Sequence, residues 1–141
     1  MGAVNLNQII ITPLKQIPTY GGDVLHALKK SEDSFDGFGE AYFSWVLPNY
    51  IKAWKKHTQM TMNLIVPIGL VKFVFYTQDN QFREECIGAE SYSRLTVPPG
   101  IWFGFQGISN SPSLILNIAS ISHDPGEADR LNTSEIHYSW N

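Results

Sequence analysis

No apolar run in this chain is long, and that limits its folding more than any other feature. Segments rich in Val, Ile, Phe, Tyr and Trp recur at 8–12, 23–28, 40–47, 61–66, 70–76, 92–97, 101–105 and 114–118, each bounded by turn-forming residues. β-Branched and aromatic side chains suit a pleated, half-buried surface, so short segments at this spacing predict an antiparallel sandwich or barrel. Pro67-Ile68-Gly69 divides the apolar run from Leu64 to Tyr76. Proline cannot donate to a central ladder and glycine tolerates positive φ, so this break predicts a hairpin, and Pro98-Pro99-Gly100 predicts another. Helix signals are few: Pro125 to Arg130 reads as one turn, with Asp124 as N-cap and Pro125 at the first helical position.

The 141 residues suit one domain, expected over 1–141, with no repeat or linker-like stretch to divide it. A chain of this size buries roughly 68–70% of its unfolded surface. Aromatic residues make up 13% against 16% charged, which excludes a disordered chain. Ten basic and thirteen acidic residues give a net charge of -3, so no basic face marks a nucleic-acid partner. Cys86 is alone and cannot form an internal disulfide, and no Cys/His spacing matches a zinc site. No run approaches the ~18 apolar residues of a membrane span, and Met1 to Asn7 lacks a basic start followed by an apolar stretch. A cytoplasmic protein without a membrane partner is expected.

Of His26, His57, His123 and His137, only His57 has an informative context. It ends the segment from Tyr50 and precedes Thr58 to Leu64, whose alternating side chains would point into a barrel lumen. Trp45, Trp54 and Trp102 fall in strands. Indole faces stack on sugars and bases but also fill small barrels, and Trp54 and Trp102 are expected to line a mouth beside His57. Tyr42, Tyr76, Tyr92 and Tyr138 fall at strand spacing, where packing is the expected reading and pocket lining or proton donation the other. Tyr76 shares a face with Val74 and Lys72. Lys55 and Lys56 suit either a diphosphate or a solvated strand end.

The run Ala53-Trp54-Lys55-Lys56-His57, then Val66-Pro67-Ile68-Gly69, then Val97-Pro98-Pro99-Gly100-Ile101-Trp102-Phe103-Gly104-Phe105, resembles the cupin superfamily. The match is best to the dTDP-4-dehydrorhamnose 3,5-epimerase family, particularly its short, divergent members. The tail, with Ile121-Ser122-His123-Asp124-Pro125, Glu127 and Ile136-His137-Tyr138-Ser139-Trp140, resembles the family's C-terminal part. The resemblance implies an all-β, cupin-type jelly-roll barrel with little helix, usually a homodimer. It also implies metal-independent, cofactor-free epimerisation of a 4-keto-6-deoxy sugar carried on dTDP. By this resemblance His57 is the base that removes a proton α to the ketone, and Asp129 is the nearest backing carboxylate. Trp54, Lys55, Lys56, Asn63, Tyr76, Trp102, Phe103 and Asn117 are the implied substrate-binding residues. Trp54 stands where the family carries an arginine, Phe103 where it carries a second histidine, and Asn117 near its acid tyrosine. These substitutions motivate a second reading, a catalytically silent cupin that binds carbohydrate, a sugar nucleotide or a biosynthetic partner. A metal-dependent cupin needs three or four ligands, and one imidazole does not hold a metal.

Overall fold

Alternating apolar side chains build two antiparallel sheets whose inner faces share one core. A computed structural model describes residues 4–78 and 80–141. In chain order its strands are β1 (Ile10–Pro13), β2 (Gln16–Ile17), β3 (Val24–Leu25), β4 (Glu40–Val46), β5 (Ile51–His57), β6 (Met62–Ile68), β7 (Leu70–Thr77), β8 (Gln81–Gly88), β9 (Ser93–Val97), β10 (Trp102–Gly107), β11 (Ser113–Ala119) and β12 (Ala128–Arg130). The first sheet runs β1-β9-β6-β11-β4, the second β12-β5-β10-β7-β8, and β2-β3 is a separate ribbon. Met62, Leu64 and Val66 of β6, Val71, Phe73 and Phe75 of β7, and Leu95 and Val97 of β9 meet in the core between the sheets. This is the all-β, cupin-type jelly roll that the resemblance implies. Among the described residues no helix is long and apolar enough to cross a membrane.

Both expected hairpins are sheet-to-sheet corners instead. β6 pairs with β9 and β11, whereas β7 pairs with β8 and β10, so the chain changes sheets at Gly69. Gly69 adopts φ +90°, and a Cβ there would lie 2.1 Å from Ser113 Oγ, so the corner requires glycine. Pro98 to Gly100 carries the chain from β9 in the first sheet to β10 in the second. The segment 23–28 contributes only Val24–Leu25, paired with Gln16–Ile17. β8 lies outside the predicted strands because Arg83, Glu84 and Glu85 break the apolar pattern; as an edge strand held only by β7, it tolerates them. The expected helical turn shrinks to a 3₁₀ turn, Pro125–Glu127, with the Gly126 N–H donating to the Asp124 side chain, and the chain then extends into β12.

Both outer faces are partly covered. Behind the second sheet, Ile136 and Trp140 of the C-terminal tail pack on Trp54 and Val74. Behind the first, the segment 26–38 is tied down by Arg94, which is 0% exposed. Its guanidinium donates to the Ala27 carbonyl, to Glu32 at 2.7 Å and to Ser34 Oγ at 2.8 Å. The Arg94 hydrogen bond is the main reason the Glu32 carboxyl lies below its ordinary value. Along the edge strand β4 the outward side chains are left open, with Phe43 62% and Trp45 54% exposed.

Arg94→Met removes the donors while roughly keeping the volume. It should cost about 1–3 kcal/mol in urea unfolding, because the Ala27 carbonyl and Glu32 lose their partner and Glu32 gains only partial solvation. Amide exchange in 26–38 should rise more than in β6 or β7.

Candidate active site

The site begins with a bulge in β5. Lys55 pairs with Phe103 and Ala53 with Gly104, which leaves Trp54 as an extra residue without a partner on β10. The strand's alternation slips by one at that point. Lys52, Lys55 and His57 line the cavity between the sheets, while the Trp54 ring joins the outer cluster with Val74, Ile136 and Trp140. Gly104 accommodates the bulge, since a Cβ there would lie 2.5 Å from that of Ala53.

The cavity measures about 750 Å3. Its wall on the second sheet carries Lys52, Lys55, His57 and Arg130, and the first sheet contributes Tyr42, Ser44 and Asn117. Met62, Leu64, Phe73, Phe105 and Ile115 supply the apolar lining, and Phe103 stacks on the His57 ring at 5.9 Å and 17°. Pairing of Arg130 with Lys55 places a second cation beside the lysine. Burial, then the Arg130 charge, pushes the Lys55 ammonium down from its ordinary value, with Glu127 opposing.

His57 is held by Glu127. Its Nδ1 lies 2.7 Å from Glu127 Oε1, and both residues are buried. The other carboxylate oxygen, Oε2, accepts the N–H groups of Thr58, Gln59 and Met60 at 3.0, 2.9 and 2.9 Å. Burial alone pushes the Glu127 carboxyl up, but the Gln59 N–H, the His57 ring and the Met60 N–H outweigh it and hold it down at about 2. An ionised carboxylate only accepts, so Nδ1 carries the proton and Nε2 presents its lone pair. Burial also pushes the His57 imidazole down from 6.5 despite the Glu127 partner, which keeps it neutral at pH 7. A neutral imidazole with a free Nε2 is able to accept a proton.

The sequence-derived candidates divide between the two sides of the sheets. Lys55, His57, Phe103 and Asn117 line the cavity, as does Trp54 at its edge. The carboxylate behind His57 is Glu127, whereas Asp129 is 58% exposed in its side chain and lies 3.7 Å from Lys56. Asp129 pairs with Lys56 and so shares its outward face; the residue two positions earlier in the capped turn reaches the histidine. Lys56 also lies outside the cavity, its Nζ 5.1 Å from the centre of the Trp102 ring. Trp102 is therefore not at the mouth beside His57 but on the outer face with Tyr76, its partner in register. Tyr76 packs on Phe82 and donates to Asn80. Asn63 points away from the lumen, opposite in phase to Met62 and Leu64, and bonds to Thr96 and Ser34. Glu127, Lys52 and Arg130 were not singled out as site residues by sequence reasoning, and Tyr42, for which packing was the expected reading, lines the cavity instead. The Asp124-Pro125-Gly126-Glu127 capped turn is the signal that could have found Glu127. Among the described residues no cluster of three His, Cys, Asp or Glu side chains is placed to hold a metal ion.

Fold and cavity together define a cupin-type jelly roll with a histidine–carboxylate pair facing a half-open polar and aromatic pocket. No family model matches the chain. A solved structure, the dTDP sugar isomerase of Desulfovibrio desulfuricans G20, is 36% identical, covers 94% of this chain and 90% of its own, and superposes with a TM-score of 0.89. The chain belongs to the family of dTDP-sugar epimerases and isomerases. The dTDP-6-deoxy-D-glucose-3,5-epimerase of Legionella pneumophila Philadelphia 1, solved with dTDP-4-keto-L-rhamnose, shares the fold at 14% identity over 93% of this chain and 76% of its own, with a TM-score of 0.80. The probable low-salt glycan biosynthesis epimerase of Haloferax volcanii is 22% identical over 89% of this chain and 85% of its own.

The buried pair makes stability fall on acidification. The unfolded chain protonates His57 near 6.5 and Glu127 near 4.5, while the folded state resists both, so the unfolded state binds more protons as pH drops. The urea midpoint should decline below about pH 6.5 and more steeply from 4.5 towards 2. Glu127→Gln turns an amide towards backbone N–H groups. It should cost about 1–3 kcal/mol at pH 7 and flatten the lower limb of that curve.

Proposed function

We propose that the chain transfers a proton at the carbon next to the ketone of a nucleotide-linked 4-keto-deoxysugar, with His57 as the base. The observation that carries this reading is the neutral, Glu127-held His57 opening on the cavity. His57 Nε2 takes the proton, and the electron pair moves onto the ketone oxygen as an enolate. Lys55 lies on the same face two residues away and is suited to stabilise that oxygen. Lys52 and Arg130 suit the diphosphate, giving positive charge to a pocket in a chain of net charge -3. Phe103 offers an apolar face to the sugar beside the base. A dTDP-linked sugar is the substrate class suggested by the relatives' own descriptions.

A homodimer is part of the same reading. β4 is a sheet edge with unpaired backbone groups and outward Phe43 and Trp45, a surface that a second copy would cover.

In D2O with dTDP-4-keto-6-deoxyglucose, wild-type protein should place deuterium next to the ketone above the protein-free background. His57→Asn should lower that exchange by about 10²–10⁴ while remaining folded. No wild-type exchange over long incubation would sink the enzymatic reading, and a thermal shift with dTDP alone would then favour the silent binder. Light scattering at micromolar concentration should give twice the 15.9 kDa chain mass, and Trp45→Glu should shift it towards monomer.

A further inference from the structure

We infer that Phe103 is a positioning residue for His57: its ring fixes the plane of the imidazole, and so the direction of the Nε2 lone pair, while Glu127 fixes which nitrogen faces the cavity. The inference rests on His57 being the base.

Glu127 holds the ring at one point only, through Nδ1 at 2.7 Å from Oε1. The torsion that turns an imidazole about its Cβ–Cγ bond has a broad minimum, and a hydrogen bond tolerates about 30° of bend. A ring held at one nitrogen therefore still rocks. The Nε2 lone pair lies in the ring plane, so rocking swings it off a substrate carbon. A stacked neighbour restrains that motion, because a tilt of either ring opens the contact between them. Phe103 lies 17° from parallel with His57 at 5.9 Å between centres, an offset stack. The His57 carbonyl also accepts the Gly100 N–H at 2.8 Å, which pins the strand end and leaves the ring torsion to be set.

The bulge in β5 makes the stack possible. With Gly104 opposite Ala53, an unbroken register would put Trp54 opposite Phe103 and turn His57 to the other face. The extra residue brings Lys55 opposite Phe103 instead. His57, two positions on, then becomes a diagonal neighbour of Phe103 on the cavity face. On its other side Phe103 is in register with Phe75 of β7, which is 0% exposed and stacks on Phe73. A ring anchored in the core in this way gives His57 a firm surface and offers Nε2 no polar atom to compete for it. Kinetics separates this role from contact with the sugar: a ring that only touches sugar sets binding, whereas one that aims the base sets the rate of the proton step.

The test compares Phe103→Leu and Phe103→Met with wild type. Both keep the site apolar and lose the flat ring, and the adaptable methionine covers the case in which leucine packs too poorly to fold. Deuterium entry next to the ketone of dTDP-4-keto-6-deoxyglucose is followed in D2O over a range of substrate concentrations. The rate at saturation should fall by about 10–100-fold, while the half-saturating concentration stays within about threefold of wild type. In NMR spectra of the free protein, the ring C–H resonances of His57 should be single and sharp in wild type. They should broaden or double in the variants, with the Nδ1–H resonance retained. A saturated rate within about threefold of wild type would overturn the assignment, and so would a loss confined to the half-saturating concentration. Wild-type protein that shows no exchange would bring down the base reading, which is a different failure. The positioning role then stands on the ring resonances, and equally sharp single resonances in the variants would refute it.

Discussion

Everything at the site depends on one buried carboxylate. Glu127 bridges the C-terminal part of the chain to the end of β5, and its two oxygens do different work. One orients His57; the other gathers three successive N–H groups of the turn that leads into β6. A lone buried carboxylate would take up a proton, since desolvation disfavours its charge. Here the amides hold the charge in place, and the charge fixes which imidazole nitrogen faces the cavity. The contact is between residues 70 apart in sequence, so the oriented imidazole exists only once the jelly roll has closed.

Burial and pairing act on His57 in opposite directions, and their balance sets its chemistry. Pairing with a carboxylate favours the imidazolium; enclosure beside Phe103, with Lys55 and Arg130 adding positive charge, favours the neutral ring. The second set prevails, so the ring accepts a proton at neutral pH without first having to lose one. The two cations that help to keep it neutral also make the pocket attractive to an anion. One charge distribution thus suits both a neutral imidazole and the diphosphate of the proposed substrate.

The strand pattern made the architecture legible, because β-branched and aromatic segments of this length have few alternatives to facing sheets. Its limits were local. The apolar run across Pro67 to Gly69 does not reveal whether the chain turns back or crosses to the other sheet, since both inner faces demand the same residues. Site residues were legible where alternation held: His57, Lys55 and Phe103 face inward. They were misplaced where phase mattered. The bulge at Trp54 shifts β5 by one, Asn63 alternates out of phase with Met62 and Leu64, and Tyr76 and Trp102 share the outer face. Asp129 is out of phase in the same way, pairing with Lys56 outside, while Glu127 reaches inward from a turn where no alternation applies.

The large aromatic share takes on a different meaning once the phase is known. Trp54, Tyr138 and Trp140 do not fill the pocket; they pack behind the second sheet, where Lys72 lies over the Tyr138 and Trp140 rings. This cluster supports the wall that carries His57 and leaves the cavity to phenyl rings, aliphatic residues and polar side chains. The opposite wall has no such backing on β4. There Tyr42 and Ser44 alternate with Phe43 and Trp45, so inner and outer surfaces lie one residue apart on an edge strand. A second copy covering Phe43 and Trp45 would do for β4 what the C-terminal tail does for β5. Pocket rigidity and the proposed association would therefore be linked through a single strand.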